Sequence, residues 1–410
     1  MNTAAATPPP QAPAAAPTRR LRVLEFIRPT TGGAARHVEL LVRMIDRRRF
    51  DVSVVTADEG RSPFVERLVD LGTEVTRLEI KRAFHPVSDA IALWRIYRLL
   101  RRGRFHLVHC HAAKAGMLGR IAARLAGTPA VVYTAHGFYF NYGLPWIKRL
   151  LHIGLERLLG RVTTRIVATA PREGAQIVEL QLTAPERVSI IPNAVDTNRF
   201  RPPAAPPPTG PARVVGMVSR LAPPKDPFTF LAAARLVLAR FPATRFVLVG
   251  DGPLLPPARR YARELGIAAS VDFLGYREDI QTEIASFDVN VLSSLWEGLP
   301  YALVEGMALG KVAVGPDISG CADLIRDGEN GFLFPRRDAE MLARHVMRLL
   351  GDDALRQAMG RAARAFVVEH HSADRWIKRI EGLYLLAAAP GECAAVFRAT
   401  AAPAPPPRGP

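Results

Sequence analysis

The chain has 410 residues, of which 49% are hydrophobic and 23% are charged, and its formal net charge is +17. This composition is typical of a folded protein and excludes a disordered or fibrous chain, and the length is sufficient for two domains. The sequence has no run of about 18 uncharged apolar residues, so it predicts no membrane-spanning helix.

Positive charge is concentrated in the first half of the chain. Residues 1–200 hold 30 Lys and Arg against 16 Asp and Glu, a net charge of +14, which leaves +3 for residues 201–410. This asymmetry indicates either an anionic partner, such as a lipid surface, a phosphorylated substrate or a nucleic acid, or an Arg-rich exposed surface without a partner. The three cysteines lack the spacing of a disulfide framework or a thiolate zinc site, so we expect a reducing cytoplasm.

Both ends of the chain and one internal segment differ from the rest in composition. Residues 1–19 and 389–410 are rich in Ala and Pro, which predicts a disordered leader and a disordered tail. The leader lacks the apolar stretch of a signal peptide. Residues 201–211 contain six prolines and predict a linker between two domains.

Short apolar runs alternate with longer amphipathic runs on both sides of this linker. The pattern begins with LRVLEFI and HVELLVRMI in residues 20–200 and restarts with ARVVGMVSR and FLAAARLVLARF in residues 212–370. It predicts an α/β fold with two Rossmann-like, doubly wound domains that face each other across a cleft. A last helix, 371–388, is expected to pack back on the first domain. Ligands of such sheets bind beyond the carboxyl ends of the strands, so the cleft is the expected site.

Three motifs of the first domain carry candidate site residues. Gly32 and Gly33 follow the first predicted strand, where they form either a tight turn or a phosphate cradle. His136 ends the strand VVYTAH, a position where a lone histidine is structural or functional. His109 and His111 share one strand face, but no carboxylate or third histidine is nearby in sequence, so we expect no metal site.

The segment LPWIKRLLHIGLERLLGRV, residues 144–162, predicts a basic amphipathic helix. Such a helix either lies in an anionic membrane interface or packs as ordinary core. LWRIYRLLRRGRF adds a second basic helix. The apolar positions of the first helix are Ile147, Leu150, Leu151, Leu155, Leu158 and Leu159, and the basic positions opposite are Lys148, Arg149, His152, Arg157 and Arg161.

The segment EGLPYALVE of the second domain places two glutamates eight positions apart. Pro300 is expected to be the first residue of a helix, with Glu297 in the loop before it and the N–H groups of Leu299 and Tyr301 directed into the cleft. Glu305 falls within an apolar helix face, where a carboxylate needs a partner such as the two hydroxyls of a ribose. The alternative is that both glutamates are surface or capping charges.

These motifs together resemble the retaining glycosyltransferases of family four, also called group-one glycosyltransferases, whose best-known mark is this Glu-x7-Glu segment. The resemblance covers roughly residues 21–385. It implies the two-domain GT-B fold, no metal or other cofactor, and transfer of a sugar from a nucleotide donor with retention at the anomeric carbon. The chain departs from the family pattern at Asp226, Gly306 and Asp323, which leaves the overall pattern intact.

The resemblance also assigns roles to individual residues. Arg220 and Lys225, in VGMVSRLAPPKDP, match positions that hold the donor diphosphate, and His136 matches a histidine placed over the transferred sugar. Arg172 matches a basic position that some relatives use on a phosphate-bearing acceptor. The implied catalytic residues are His136, Arg220, Lys225 and Glu297, and the implied donor-binding residues are Gly32, Gly33, Gly250, Gly252, Tyr276, Arg277, Leu299, Pro300, Tyr301 and Glu305.

The expected activity is transfer of a hexose from a UDP- or GDP-sugar to a hydroxyl of a lipid-linked glycan in surface-polysaccharide or lipopolysaccharide synthesis. We expect a cytoplasmic protein in peripheral contact with the inner face of the cell membrane. A nucleotide-sugar 2-epimerase of the same fold is the alternative, although it would need acid and base carboxylates in the cleft. A nucleic-acid-binding protein is the second alternative, but the sequence contains no recognisable RNA- or DNA-binding module, so we expect no nucleic-acid partner.

Overall fold

The computed structural model describes residues 20–388 except 29, 142 and 204–211. The predicted leader 1–19, the predicted tail 389–410 and most of the predicted linker 201–211 therefore lie outside the described residues. Within the described residues, no helix is long and apolar enough to cross a membrane.

The first domain is built on a parallel sheet of seven strands in the order β3-β2-β1-β4-β5-β6-β7. Its central strands are buried on both faces, which explains their nearly unbroken apolar runs, whereas the edge strands Glu74–Leu78 and Val188–Ile190 are partly exposed. The strands are β1 (Leu21–Ile27), β2 (Phe50–Ala57), β3 (Glu74–Leu78), β4 (Leu107–His111), β5 (Ala130–Thr134), β6 (Arg165–Ala168) and β7 (Val188–Ile190), and the helices are α1 (Gly33–Met44), α2 (Pro63–Asp70), α3 (Pro86–Gly103), α4 (Ala112–Ala126), α5 (Trp146–Gly160) and α6 (Pro171–Glu179).

The second domain repeats this architecture with six parallel strands in the order β10-β9-β8-β11-β12-β13. Its strands are β8 (Val214–Val218), β9 (Arg245–Val249), β10 (Val271–Gly275), β11 (Val289–Val291), β12 (Val312–Pro316) and β13 (Gly331–Phe334), and its helices are α7 (Pro227–Leu238), α8 (Leu255–Glu264), α9 (Ile280–Ala285), α10 (Tyr301–Ala308), α11 (Ala339–Gly351) and α12 (Asp353–His370). The predicted α/β fold with two Rossmann-like domains is confirmed.

The last helix, α13 (Ala373–Ala388), leaves the second domain and packs against α1, β4 and β5 of the first. Its apolar face, which includes Ile380 and Tyr384, belongs to the core of the first domain. At the crossing point, Nδ1 of His371 lies 2.9 Å from the backbone oxygen of Asn193, so the two domains are joined by a buried hydrogen bond.

The strand order of each sheet reverses at one point, between β1 and β4 and between β8 and β11. Loops at the carboxyl ends of strands diverge at such a point and leave a crevice for a ligand. Gly32 and His111 follow or end strands at the first crevice, whereas Arg220 and Glu297 follow strands at the second. The sheet topology therefore brings the candidate residues of the two domains to the same cleft.

Candidate active site

Glu305 of α10 is paired with Arg36 of α1 across the cleft. The guanidinium of Arg36 lies 2.5 Å from Oε1 of Glu305, and Glu305 is only 3% exposed. Burial raises the pKa of the Glu305 carboxyl, and the charge of Arg36 opposes this shift. The pair borders a cavity of about 170 Å³ between the domains, which Tyr276 and Arg277 also line. The carboxylate thus has the buried position expected of it, with a cation as its partner.

The start of α10 lies against the first domain. Pro300 is the N-cap of this helix and Tyr301 its first residue, so the helix begins one residue later than the sequence predicts. The Tyr301 ring comes within 3.1 Å of where a Cβ would stand on Gly33, which only glycine permits without a shift. The backbone oxygen of Leu299 accepts a hydrogen bond from the amide of Asn193 at 2.9 Å. Gly32, with φ 85°, caps α1 beside this contact.

The second glutamate of the motif is held by a lysine and a serine. Nζ of Lys225 lies 2.5 Å from Oε1 of Glu297, and Oγ of Ser294 donates to the same oxygen at 2.6 Å. A carboxylate with two donors is fixed in direction while its second oxygen stays available to a ligand. Lys225 and Glu297, which come from loops 72 residues apart, therefore form one unit.

Arg220 adds positive charge at the mouth of the cleft. Partial burial and then repulsion by Arg82 and Arg28 of the first domain lower the pKa of its guanidinium. Arg28 is itself paired with Glu59 at 2.8 Å. Three guanidinium groups that repel one another across a cleft are an arrangement that a diphosphate would stabilise.

Gly250 and Gly252 pack against the loop that carries Arg220. Their φ angles are 135° and 154°, and an added Cβ would come within 1.9 Å of the Ser219 oxygen and 2.3 Å of the Leu221 oxygen. From the sequence, these glycines are interpreted as giving the backbone room beside a nucleotide. That interpretation does not include their close contact with the Arg220 loop. Both glycines are required for the position of the Arg220 loop, and their contact with a nucleotide stays a prediction.

His136 has a positive φ of 55°, which is uncommon for a residue with a side chain. The turn is held by Glu173, which is buried and accepts hydrogen bonds from the backbone nitrogens of Gly137 at 3.2 Å and Thr169 at 2.6 Å. Gly298 of the second domain approaches this turn, because its Cβ position is 3.0 Å from Oγ1 of Thr169. The Glu297 loop and the His136 turn therefore meet across the cleft.

The histidine pair of β4 has more neighbours than the sequence indicates. Glu25 and His136 both lie within hydrogen-bonding distance of His111, and the ring of His37 packs 5.3 Å from that of His111. The sequence shows no carboxylate or third histidine near this pair, but in space β1, α1 and the turn after β5 supply them. The expectation of a metal-free site stays a prediction.

Arg172, the candidate acceptor residue, begins α6 at the rim of the cleft. Its guanidinium lies 3.7 Å from Asp317 of the second domain, and both side chains are exposed. Tyr276 is also exposed, and Arg277 pairs with Glu283 at 3.3 Å. Tyr276 and Arg277 therefore line the same cavity as Glu305, and Arg172 lies at an exposed contact between the domains.

Sequence reasoning missed five residues that organise the site, namely Glu25, Arg36, His37, Glu173 and Asn193. Only Arg36 and His37 carried a local signal, since they follow the Gly32–Gly33 pair at the start of α1, where side chains face the cleft. The partners of Glu25 and Asn193 lie far away in sequence, whereas Glu173 binds the nearby Thr169 as well as the distant Gly137.

Two Rossmann-like domains that close on such a cleft define the GT-B class of glycosyltransferases. The structure of Anabaena Alr3699/HepE in complex with UDP and glucose matches with a TM-score of 0.76 and 20% identity, over 89% of this chain and 99% of that one. Sucrose-phosphate synthase from Thermosynechococcus elongatus matches with a TM-score of 0.76 and 18% identity, over 93% and 100% of the two chains. These likenesses show the shared fold.

The sequence comparisons identify the family. Residues 202–366 match the model of the glycosyl transferases group 1, and residues 31–199 match that of Glycosyltransferase Family 4. An Escherichia coli protein, UDP-Gal:alpha-D-GlcNAc-diphosphoundecaprenol alpha-1,3-galactosyltransferase, is 30% identical over 83% of this chain and 90% of its own length. The glycosyltransferase EpsD of Bacillus subtilis is 30% identical over 82% and 89%. The chain therefore belongs to the group 1 glycosyltransferases, and the resemblance seen in its motifs is confirmed.

Proposed function

We propose that this glycosyltransferase moves a hexose from a UDP- or GDP-sugar to a hydroxyl of a lipid-linked glycan, in bacterial surface-polysaccharide or lipopolysaccharide synthesis. The observation that carries the proposal is the meeting of Arg220, the Lys225–Glu297 pair and the buried Glu305 in one cleft. The Escherichia coli relative is named for a UDP-linked donor and a diphosphoundecaprenol-linked acceptor, which supports both substrate classes.

The donor side follows from the charges of the cleft. Arg220 and Lys225 bind the diphosphate, Glu305 accepts hydrogen bonds from the ribose, and Tyr276 and Arg277 lie beside the base. Glu297 holds a hydroxyl of the transferred sugar while Lys225 fixes its direction. In these roles the positive side chains, rather than a metal ion, stabilise the negative charge that develops on the leaving phosphate.

The two glutamates of the motif already have binding roles, Glu297 on a sugar hydroxyl and Glu305 on the ribose, which leaves neither of them to form a covalent intermediate. We therefore infer attack of the acceptor on the face from which the phosphate leaves, through an oxocarbenium-like state. The departing phosphate accepts the proton of the acceptor hydroxyl, and the sugar keeps its anomeric configuration. We infer that His136, whose backbone lies beside Gly298, contacts the sugar.

The acceptor side follows from helix α5. Its core contacts come from Ile153 and Leu159 and Leu155 is half-buried, whereas five other large apolar residues are exposed: Trp146 by 71%, Ile147 by 55%, Leu150 by 55%, Leu151 by 68% and Leu158 by 57%. Exposed Lys148, Arg149, Arg157 and Arg161 lie on the same helix. An exposed apolar surface surrounded by cations fits the anionic inner surface of the cell membrane, where a lipid-linked acceptor is found.

The substrate assignment is tested with labelled UDP- and GDP-hexoses and a polyprenyl-diphosphate-linked sugar in detergent. We expect one nucleotide sugar to give a glycosylated lipid whose new linkage, read by NMR, keeps the anomeric configuration of the donor. Lys225→Met and Glu297→Gln should each lower kcat by about 10²–10³-fold. An inverted linkage would contradict the mechanism, and transfer that needs an added divalent metal would contradict the metal-free site.

The same assay distinguishes the epimerase alternative. A 2-epimerase would release an epimer of the sugar or the free nucleotide in the absence of acceptor, and it would give no glycosylated lipid. We expect release of UDP or GDP to depend on the acceptor. Rapid, acceptor-independent formation of an epimer would therefore replace the transferase assignment.

A further inference from the structure

A cluster of buried histidines surrounds one carboxylate in the first domain. Glu25 of β1 has no exposed surface, and its Oε2 lies 2.7 Å from Nε2 of His111. The hydroxyl of Tyr384 donates to Oε1 of Glu25 at 2.5 Å. Nδ1 of His111 in turn lies 3.0 Å from Nε2 of His136. Glu25, His111 and His136 thus form a continuous hydrogen-bonded chain from the core to the cleft.

Nδ1 of His136 is the end of this chain that opens to the cleft. It has no hydrogen-bond partner within the described part of the protein, and it is not among the enclosed polar atoms. The positive φ of His136 and the bond from Gly137 to Glu173 fix the turn that carries the ring. This turn lies beside Gly298 of the second domain, whose Cβ position is 3.4 Å from the backbone carbonyl carbon of His136.

The hydrogen bonds that link Glu25, His111 and His136 can run in either direction, and the two arrangements differ by one proton. When Glu25 is ionised, Nε2–H of His111 donates to it, Nδ1 of His111 accepts from Nε2–H of His136, and Nδ1 of His136 is left as an acceptor. When Glu25 is protonated, it donates to His111, His111 donates to His136, and Nδ1–H of His136 becomes a donor. Both imidazoles are neutral in both states, so one proton on Glu25 sets the hydrogen-bonding character of an atom two rings away.

We propose that Glu25 and His111 act as positioning residues that set the tautomer of His136, and thereby decide whether its Nδ1 accepts from or donates to a hydroxyl in the cleft. The identity of that hydroxyl, on the transferred sugar, rests on the proposed function. The tautomer coupling itself does not, because it is a property of the protein alone. The tautomer of His136 thus determines whether the site offers a sugar hydroxyl a hydrogen-bond donor or a hydrogen-bond acceptor.

The state of Glu25 changes within the physiological range. Burial raises its pKa to about 8, and the hydrogen bond from Tyr384 opposes this shift. Burial also lowers the pKa of His111 to about 3, which keeps that ring neutral. The titratable groups that face Glu25 from the surrounding elements are His37 of α1, His109 and His111 of β4, His136 after β5 and Tyr384 of α13.

His109 and His37, the other histidines of the cluster, also have hydrogen-bond partners. His109 bonds to Tyr384 at 2.7 Å and to Thr134 at 2.8 Å, and Nδ1 of His37 bonds to Asn193 at 3.1 Å. Nε2 of His37 is the exception, because it is buried and has no hydrogen-bond partner among the described residues. Since the remaining ring nitrogens that face one another already share hydrogen bonds, we assign a proton-coupled network.

The test is a pH titration of the full chain labelled with ¹⁵N-histidine. Two-bond ¹H–¹⁵N correlations distinguish protonated from unprotonated ring nitrogens, and a His136→Gln variant assigns the signals of His136 among the ten histidines. We expect Nδ1 of His136 to be protonated at pH 6.5 and unprotonated at pH 9.5, with a midpoint near pH 8. Glu25→Gln should abolish the change, because Gln does not ionise.

Tyr384→Phe is the matched variant, since it keeps Glu25 and removes the hydrogen bond that favours its ionised form. The midpoint should move to higher pH in this variant. A His136 tautomer that is constant across this range in the native protein, or that changes equally in Glu25→Gln, would overturn the proposal. So would stoichiometric zinc in the purified chain that is lost in His37→Gln, because the metal would then fix the ring nitrogens.

Kinetics separate this inference from the proposed function. In the native enzyme, kcat for transfer should show a step near pH 8 that is absent from Glu25→Gln, while UDP should bind both proteins with the same Kd. If no nucleotide sugar is a donor but the tautomer of His136 still changes, the substrate assignment fails and the coupling stands. If sugar transfer is observed but the tautomer of His136 does not change with pH, the coupling fails and the substrate assignment stands.

Discussion

Arg36 and Glu305 form an ion pair that bridges the two domains across 269 residues of sequence. The carboxylate is buried, whereas the Arg36 side chain is 34% exposed and opens onto the cleft. A ribose that binds to Glu305, as we propose, would compete with Arg36 for the carboxylate oxygens. The pair would then couple the contact between the domains to donor binding, because both would use the same acceptor atoms.

Arg36→Ala should lower the stability of the free protein and increase the response to nucleotide. Leaving a buried carboxylate without its donor costs about 1–3 kcal/mol, and UDP would no longer have to break the pair. In thermal-shift measurements we expect a lower Tm for the variant and a larger rise on addition of UDP than in the native chain. Arg48→Ala, which removes an exposed ion pair of the same domain, is the control. A smaller rise would mean that Arg36 itself holds the donor.

Gly298→Ala tests the contact between the Glu297 loop and the His136 turn. The new Cβ would lie 3.0 Å from Oγ1 of Thr169, so the cleft must open by a few tenths of an ångström. We expect kcat/KM to fall about tenfold with little change in Tm, because the misplacement affects the reacting groups and not the core. Thr169→Ala in the same chain should restore part of the activity.

The matched control for this variant is Gly154→Ala in α5, where an added Cβ meets nothing within 4 Å. Its kcat/KM should equal that of the native enzyme. Equal activity of Gly298→Ala and Gly154→Ala would show that the two loops do not come together during the reaction.

The fold could be predicted from sequence because its signal is local. Strands such as β4 and β12 are buried on both faces and therefore appear as short apolar runs between amphipathic helices. The need of Glu305 for a partner could also be predicted, since it is a carboxylate within an apolar helix face. Its partner, Arg36, could not be predicted, because no local pattern links α1 to α10.

The same limit applies to the buried network and to α5. Glu25 and Tyr384 are 359 residues apart, and only the return of α13 to the first domain brings them together. Periodicity predicts that α5 is amphipathic, but it does not say which face packs inward. The structure buries Ile153 and Leu159 and leaves Leu150 and Leu151 exposed, so most of the predicted apolar face is not core.

Buried neutral histidines predict a loss of stability in mild acid. Burial lowers the pKa of His371 to about 4, whereas the unfolded chain binds this proton near pH 6.5. His371 therefore makes its full contribution to the free energy of unfolding above pH 6.5, and this contribution is lost as the pH falls from 6.5 to 4. His37 and His111 act in the same direction, while Glu25, whose pKa is raised, acts in the opposite direction between pH 4.5 and 8.

His371→Gln should consequently make the free energy of unfolding less dependent on pH. Between pH 6 and 5 its slope should be smaller than that of the native chain by about 1.4 kcal/mol per pH unit, the value for one proton. Urea unfolding at several pH values measures this slope, and the neighbouring, exposed His370→Gln is the control. Equal slopes for His371→Gln and the native chain would mean that His371 has the same pKa in the folded and unfolded states.

The exposed face of α5 predicts binding to anionic membranes. We expect the native chain to sediment with vesicles that contain phosphatidylglycerol at low salt, and to be partly released at high salt, because each cation near the surface contributes about 1 kcal/mol. A Leu150→Glu, Leu151→Glu double variant should bind at least about tenfold more weakly, since it removes two apolar insertions and adds two like charges.

The control for this variant is Leu236→Glu, at a leucine of α7 that is 40% exposed on the second domain. It adds a similar charge far from α5 and should leave vesicle binding unchanged. Transfer to a short, water-soluble acceptor should be the same in all three proteins, because Leu150 and Leu151 lie outside the cleft. If the native chain stays in the supernatant at low salt, or if Leu236→Glu weakens binding as much as the double variant, α5 is not the membrane contact.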